Sequence, residues 1–584
     1  MRFFRRRLTL FDILLYLQMA TTKTIAVGVP IRRTLELIRL KKGEIYSIYF
    51  FAIMYGLLQL SIPLGIQLII NFIQAYTYST SLWILIGLVI IGVLLSGIFQ
   101  VTQMKLIERI NQQIFARYGL EFAYRIPKLD MKSVDPYYLP ELVNRFFDTV
   151  SVQKSLGKLL IDIPTASIQI FFGIILLSLY SSVFIVFGIV LLLILSLIIY
   201  FTSKRGILTS FEESNYKYEL GGWLEELART YRTFKFSNDS NLHLKYSDKL
   251  VTGYLNARNN HFKVLLTQYW SLIGFKVVIT ASMLIVGAML AINNTINIGQ
   301  FVASEIVILM IMASVEKFIY SLDTIYDLLI SITKLDKVLD LPLQKSGTIP
   351  FFSSEAGVDI KVKELSFGFK ETRNILHKAS FHITGGSKVC VMGEEGSGKS
   401  VLLRLMTGAY SDYNGSILVN DIPVHNYDLK SLYQQTGVVL NEQDIFLGSV
   451  LDNITLGSPT IPLSDVTRLA AITHFDQNLL TLTEGYNTLL DVAGSRLGKA
   501  TIQKLLLMRA FIHKPKLLLL ENPWSALSKE SREQIQQYIL TLLPGITIVV
   551  VTNDLAFAKQ CNIVIVLDKG VVKAWGNPQQ VLNN

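Results

Sequence analysis

Charge is scarce in this chain of 584 residues: Asp, Glu, Lys and Arg together make up 17%, against about a quarter in ordinary soluble domains. Cysteine is scarcer still. The two residues, Cys390 and Cys561, lie in apolar strand-like runs and are expected to be reduced core residues, which fits a cytoplasmic setting. The first 44 residues are basic but lack an apolar core followed by a small-residue cleavage site, so they do not read as a signal peptide. A net charge of +11 comes without a helix-turn-helix pattern or an aromatic-plus-basic RNA motif, so no nucleic-acid partner is expected. Much of that charge flanks apolar runs, where it sets membrane orientation.

Apolar residues fill the composition instead, at 51%. The excess sits almost wholly within residues 45–335, and the remainder reads as a soluble α/β domain, so the chain is too long and too uneven for one core. A membrane-crossing helix takes about 20 mostly apolar residues. Six such stretches occur, near 45–74, 81–103, 159–180, 182–203, 268–291 and 298–320. The turns at Ala75–Thr80, Tyr180–Ser182 and Ile292–Asn297 carry no charge, whereas the connections 104–158 and 204–266 are long and rich in Lys and Arg. The excess of positive residues on one side predicts six spans with both termini in the cytoplasm, and residues 1–44 as an amphipathic segment on the inner membrane face. The two long connections read as helical extensions with polar tips at Val134–Leu142 and Glu212–Gly222, natural contact points for a soluble motor. Lys276 and Glu305 fall inside spans, where charge demands a partner or a wet cavity. Glu305 lies about 12 Å below the outer turn at 1.5 Å per residue.

Beyond Pro342, a polar stretch reads as a linker, giving expected domains of 1–44, 45–340, 341–356 (linker) and 357–584. In the last of these, the strand-like Val389-Cys390-Val391-Met392 runs into Gly393-Glu394-Glu395-Gly396-Ser397-Gly398-Lys399-Ser400, followed by an apolar helix from Val401. This is the G-x-x-x-x-G-K-S phosphate loop. Its glycines let backbone N–H groups curl around phosphates, Lys399 reaches the β- and γ-phosphates, and Ser400 can ligate Mg²⁺. Nucleotide binding is the chemistry this spacing requires.

The order of these features resembles the ABC transporter family along nearly the whole chain. Ser366-Phe367-Gly368-Phe369 stands where that family keeps an aromatic residue against adenine, and Leu517 to Leu527 is similar to its Walker B strand and following loop. Ile298-Gly299-Gln300 and Ser331–Leu341 resemble the bacteriocin and hemolysin exporters, although the 44 residues ahead of the first span are too few for their cysteine-peptidase domain. The resemblance implies a six-helix membrane domain of the type I exporter arrangement plus an α/β P-loop NTPase domain. It further implies an ATP site with Mg²⁺ formed by Phe369, Gly393 to Val401, Asn441 and Glu521, with Ser400 and Glu521 at the metal. The implied setting is an integral membrane protein of a bacterial inner membrane, acting as a homodimer or as a heterodimer with another ABC half-transporter. The implied cargo is a peptide or protein, a lipid or a drug-like molecule.

Several positions depart from the family's pattern. The Walker B aspartate falls on Glu521, the glutamate that orients the attacking water on Asn522, and the switch histidine on Asn553. The Q-loop glutamine falls on Asn441, with Gln443 nearby. The signature reads Leu497-Gly498-Lys499-Ala500-Thr501, and Ser528 stands at the D-loop aspartate. Arg509-Ala510 and Ser525-Ala526-Leu527 hold the register. An amide is no general base near neutral pH, and positioned acid–base groups contribute about 10²–10⁴ in rate. The expectation is ATP binding without fast hydrolysis, in an exporter subunit or, alternatively, in an ATP-sensing membrane scaffold that moves nothing.

Overall fold

The computed structural model describes residues 32–34, 36, 42–75, 80–236, 241–352, 357–369, 374–441, 445–494, 496–541 and 544–582. Most of the expected amphipathic segment 1–44, and Gln443, lie outside these residues. The chain divides into two compact units, one made of residues up to Pro127 and Tyr137–Leu341, the other of Lys128–Pro136 and Pro342 onward.

The first unit is helical. Its long elements are α1 (Lys42–Gln59), α2 (Ser61–Gln74), α3 (Thr80–Arg125), α5 (Asp148–Tyr180), α6 (Val183–Arg229), α7 (Leu242–Ile292) and α8 (Ile298–Leu339), while the short α4 (Met131–Val134) belongs to the second unit. With α1 and α2 taken as one interrupted span, six helical stretches are long and apolar enough to cross a membrane. The interruption has a local cause. Pro63 lacks the N–H that would bond the carbonyl of Gln59, and Leu60 forms a turn there. Helix α8 opens on a reciprocal cap: the Gln300 N–H donates to Asn297 Oδ1 at 2.7 Å, and the Asn297 N–H donates to Gln300 Oε1 at 2.9 Å.

The long connections are helical extensions of the spans, as the sequence suggests, but the second tip lies elsewhere. Helix α6 runs unbroken through Glu212–Gly222 to Arg229, a short helix follows at Tyr231–Lys235, and α7 begins at Leu242. Gly221 and Gly222 each cost a helix about 1 kcal/mol relative to Ala, yet both lie inside α6. Packing outweighs them: the Trp223 ring lies 4.6 Å from that of Tyr246, and its Nε1–H donates to Ser247 Oγ at 3.0 Å.

Both intramembrane charges flagged by the sequence are accounted for differently. Lys276 Nζ meets Glu316 Oε2 at 2.5 Å, joining α7 to α8; Glu316 lies inside the sixth apolar stretch and was not singled out there. Glu305 Oε1 is buried and accepts no hydrogen bond among the described residues.

The second unit is built on a six-stranded sheet ordered β12-β11-β3-β10-β9-β6. These strands are β3 (Lys388–Gly393), β6 (Thr436–Val439), β9 (Leu517–Glu521), β10 (Thr547–Val551), β11 (Ile563–Asp568) and β12 (Val571–Gly576). All run parallel except the edge strand β12. Every residue of β9 and β10 is buried, as expected where helices cover both faces of a parallel sheet. A second, antiparallel sheet carries β2 (Leu376–Ile383), β1 (Ile360–Phe367), β4 (Asn414–Val419) and β5 (Ile422–Pro423). A small pair, β7 (Gly448–Ser449) with β8 (Leu489–Leu490), completes the strands. Cys390 and Cys561 are both buried and free.

Candidate nucleotide site

Parallel α/β sheets gather their ligands at the carboxyl ends of the strands, and the chemistry-bearing residues converge there. Strand β3 ends in Gly393, and the loop turns into helix α9 (Lys399–Met406) through Gly398, whose φ of 94° is left-handed. A side chain at Gly398 would also press within 2.8 Å of Leu376 Cδ2, so the position needs glycine both for its backbone and for its space. Glu394, Glu395 and Gly396 are exposed at the loop's crest, Ser397 and Gly398 are buried, and Val401 packs its flank on the core below. Lys399 Nζ donates to the carbonyls of Gly393 at 2.9 Å and Glu394 at 2.5 Å and to Ser397 Oγ at 3.3 Å. Its ammonium therefore stands inside the loop it serves. Burial pushes its pKa down, opposed by the carboxylates of Glu395 and Glu521.

Glu521 closes strand β9 and is 3% exposed. Its Oε1 accepts from the Ser400 hydroxyl and, at 2.8 Å, from Asn441 Nδ2; its Oε2 accepts from the Asn441 N–H at 3.1 Å. The serine of the phosphate loop, the residue just beyond β6 and the end of β9 thus form one hydrogen-bonded group. This donor set fits Mg²⁺, a hard cation that binds a carboxylate, a hydroxyl and nucleotide phosphates while keeping several waters. Among the described residues no cluster of three His, Cys, Asp or Glu side chains offers an all-protein metal cage.

Asn522 follows directly, with a left-handed φ of 43°. Its N–H donates to the Val551 carbonyl at 2.9 Å, tying the loop after β9 to the end of β10. Asn553 lies just past β10, and its Oδ1 accepts from the Gly393 N–H at 3.2 Å. Asn553 therefore borders the phosphate loop, and Asn522 directly follows Glu521, which accepts from the loop's Ser400. Phe369, half-buried beyond β1, lies 5.3 Å edge-on from Phe367 and 6.0 Å from the ring of Tyr410.

The signature segment opens helix α10 (Lys499–Ile512), with Gly498 at its N-cap. Among the described residues no hydrogen bond joins it to the phosphate loop. One residue of α10 that sequence reasoning passed over does reach the site. Gln503 Nε2 donates to the Asn522 carbonyl at 2.7 Å, and Gln503 Oε1 accepts from the Ala526 N–H at 2.9 Å. A polar pair, Gln503-Lys504, ahead of the buried run Leu505–Met508 is the signal that marks it. Ser528 accepts from the Ser531 N–H at 3.3 Å, capping the following helix.

Comparison with known proteins agrees with this geometry. Residues 45–315 match the ABC transporter transmembrane region, and residues 376–525 match the ABC transporter domain. The alpha-hemolysin translocation ATP-binding protein HlyB of Proteus vulgaris is 29% identical over 344 residues, 58% of this chain and 48% of that protein. The leukotoxin translocation ATP-binding protein LktB of Mannheimia haemolytica is 29% identical over 300 residues, 51% of this chain and 42% of that protein. The match thus spans about half the length of these curated relatives. The structure of a bacterial Atm1-family ABC exporter with ATP bound has the same fold, with a TM-score of 0.82 at 17% identity over 93% of this chain and 96% of that one. The chain belongs to the ABC transporter family, with the family's transmembrane region followed by its ABC transporter domain.

Proposed function

We propose that this chain is one half of an ABC exporter that holds ATP with Mg²⁺ and turns it over slowly or not at all. The observation carrying the reading is a complete phosphate loop, with Lys399 seated among its carbonyls, Asn553 bonded to its first residue and Asn522 directly after Glu521. Phe369 stacks on the adenine, the loop amides of Gly393 to Ser400 hold the phosphates, and Ser400 and Glu521 would hold Mg²⁺. The metal, when bound, neutralises charge on the phosphate oxygens. Neither Asn522 nor Asn553 can take a proton from an attacking water, so the acid–base part of catalysis is absent. Gly498, Lys499 and Ala500 supply no hydroxyl from the signature, and pairing with a second ABC half-transporter, alike or different, leaves each composite site incomplete.

Binding of ATP closes the nucleotide domains and reorients the spans, and a partner or slow turnover resets them. The relatives named for hemolysin and leukotoxin translocation support a peptide or protein as cargo, with lipids and drug-like molecules as the other classes such exporters take. Lysine and arginine in the long connections support an inner-membrane location with both termini in the cytoplasm. Full-length protein purified in lipid nanodiscs should bind a fluorescent ATP analogue yet hydrolyse ATP far below the typical enzyme rate of about 10 s⁻¹. Brisk hydrolysis by the isolated protein, or no binding, overturns the reading. Liposomes that show no ATP-dependent cargo movement while binding persists would favour an ATP-sensing scaffold.

A further inference from the structure

A cavity of about 450 Å³ lies at the amino ends of β9 and β10, the end of the sheet away from the phosphate loop. It opens between the helix Leu463–Thr473, the last turn of α10 and the helix Lys529–Thr541. Its inner wall is apolar, made by the buried side chains of Leu469, Phe511 and Leu518. Leu518 precedes Glu521 by three residues on β9, about 10 Å along the strand. The cavity is thus separate from the group formed by Glu521 and Ser400.

The mouth is charged. Lys514 Nζ stands 2.8 Å from Asp465 Oδ2, and Arg468 Nη2 stands 3.7 Å from Asp465 Oδ1. Two cations share one carboxylate, which leaves one positive charge in excess, and they carry more N–H donors than that carboxylate can satisfy. Tyr538 borders the same mouth, its ring 5.6 Å from that of Phe511. Burial raises its phenol pKa, with Arg468, Asp465 and Lys514 all near enough to act on it, so the hydroxyl is a donor at neutral pH.

The backbone at Lys514 adds a second observation. Its φ of 50° is left-handed, two residues past the end of α10, where helices ordinarily place glycine. A lysine there is strained relative to glycine, and the conformation it holds brings its ammonium to Asp465 and the mouth.

We propose that this cavity binds a small molecule with an aromatic body and a single carboxylate. The volume falls within the roughly 300–1,000 Å³ of small-ligand sites. The apolar wall and the rings of Phe511 and Tyr538 take the body. Arg468, Lys514 and the Tyr538 hydroxyl take the carboxylate through charge-assisted hydrogen bonds. A neutral ligand leaves the excess charge unmet, and a second negative charge on the ligand would face Asp465. The inference stands apart from the nucleotide reading.

The photoprobe 4-benzoylbenzoate, an aromatic monocarboxylate, tests the site on the full-length protein in nanodiscs, with labelled peptides mapped by mass spectrometry. Labels should fall within residues 463–473, 511–518 and 535–546, be suppressed by 1-naphthoate and persist with ATP present. Neutral benzophenone should label these residues about fivefold less, the scale of one exposed ion pair. Arg468→Gln and Lys514→Gly should each cause a loss of similar size. Glycine suits the left-handed backbone, so Lys514→Gly should keep its unfolding temperature, and a loss there reports binding rather than misfolding. Equal labelling by benzophenone, undiminished labelling in both variants, or labels confined to the membrane-crossing helices overturns the proposal. Suppression by ATP would assign the label to the nucleotide site and overturn it as well.

Discussion

The Gly393 amide donates to Asn553 Oδ1 at 3.2 Å, so the residue at the switch position is hydrogen-bonded to the first residue of the phosphate loop. An asparagine there can bond and cannot shuttle a proton. Together with Asn522 just beyond β9, it supports the proposal that the site holds nucleotide without fast hydrolysis.

Restoring the acid–base groups should restore hydrolysis. The double variant Asn522→Glu, Asn553→His, with Gly498→Ser, Lys499→Gly and Ala500→Gly to rebuild the signature, should raise ATP turnover by about 10²-fold or more. Phosphate release by purified protein measures it. No gain in a variant that still binds ATP would show that these substitutions are not the cause of slow turnover.

Removing the loop cation should weaken binding instead. Lys399→Ala takes away the ammonium bonded to Gly393 and Glu394, and a charge-assisted contact of about 1.5–3 kcal/mol corresponds to a loss of about 10–100-fold in ATP affinity. Gly398→Ala should weaken binding as well, since its φ of 94° and the nearby Leu376 leave no room for a methyl group. Titration with a fluorescent ATP analogue reads both variants.

The Lys276–Glu316 pair should behave as a mutual requirement. The side chains are 36% and 31% exposed, so the large penalty for an orphaned buried charge is discounted, to about 1–2 kcal/mol. Lys276→Met alone or Glu316→Gln alone should lower thermal stability in nanodiscs, and Lys276→Met with Glu316→Gln should lower it less than the sum of the two. Strict additivity would mean the contact contributes nothing.

Alkaline pH should loosen the nucleotide domain through its thiols. Burial pushes the Cys390 thiol up to about 12 and Cys561 in the same direction. Between an unfolded-state pKa near 8.5 and these raised values, the unfolded chain binds fewer protons than the folded one. Stability therefore falls as pH rises past about 9, by up to about 1.4 kcal/mol per unit for each thiol. Below that pH both states are protonated and the contribution is intact. Denaturant midpoints at pH 7.5 and 10 should differ in wild type and differ less in Cys390→Ala, Cys561→Ala.

The membrane spans and the phosphate loop were legible because each is a local pattern: 20 apolar residues in a row, or two glycines, a lysine and a serine at fixed spacing. What escaped depends on residues far apart in the chain. Glu316 matters through Lys276, 40 positions away. Gln503 matters through the carbonyl of Asn522. The tip expected at Glu212–Gly222 lies inside α6, where Trp223 meets Tyr246 of α7. Segment Lys128–Pro136 carries nothing in its own sequence that announces Leu343 as a neighbour.

Helix α8 runs for 42 residues, with all its prolines and breaks postponed to Pro342. At 1.5 Å per residue it is a rod of about 63 Å, roughly twice the thickness of a bilayer's hydrocarbon layer. A rod of that kind behaves as a stiff oar. A tilt of a few degrees imposed at the end where the linker begins sweeps the opposite end by several ångströms, with no proline along its length to absorb the stroke.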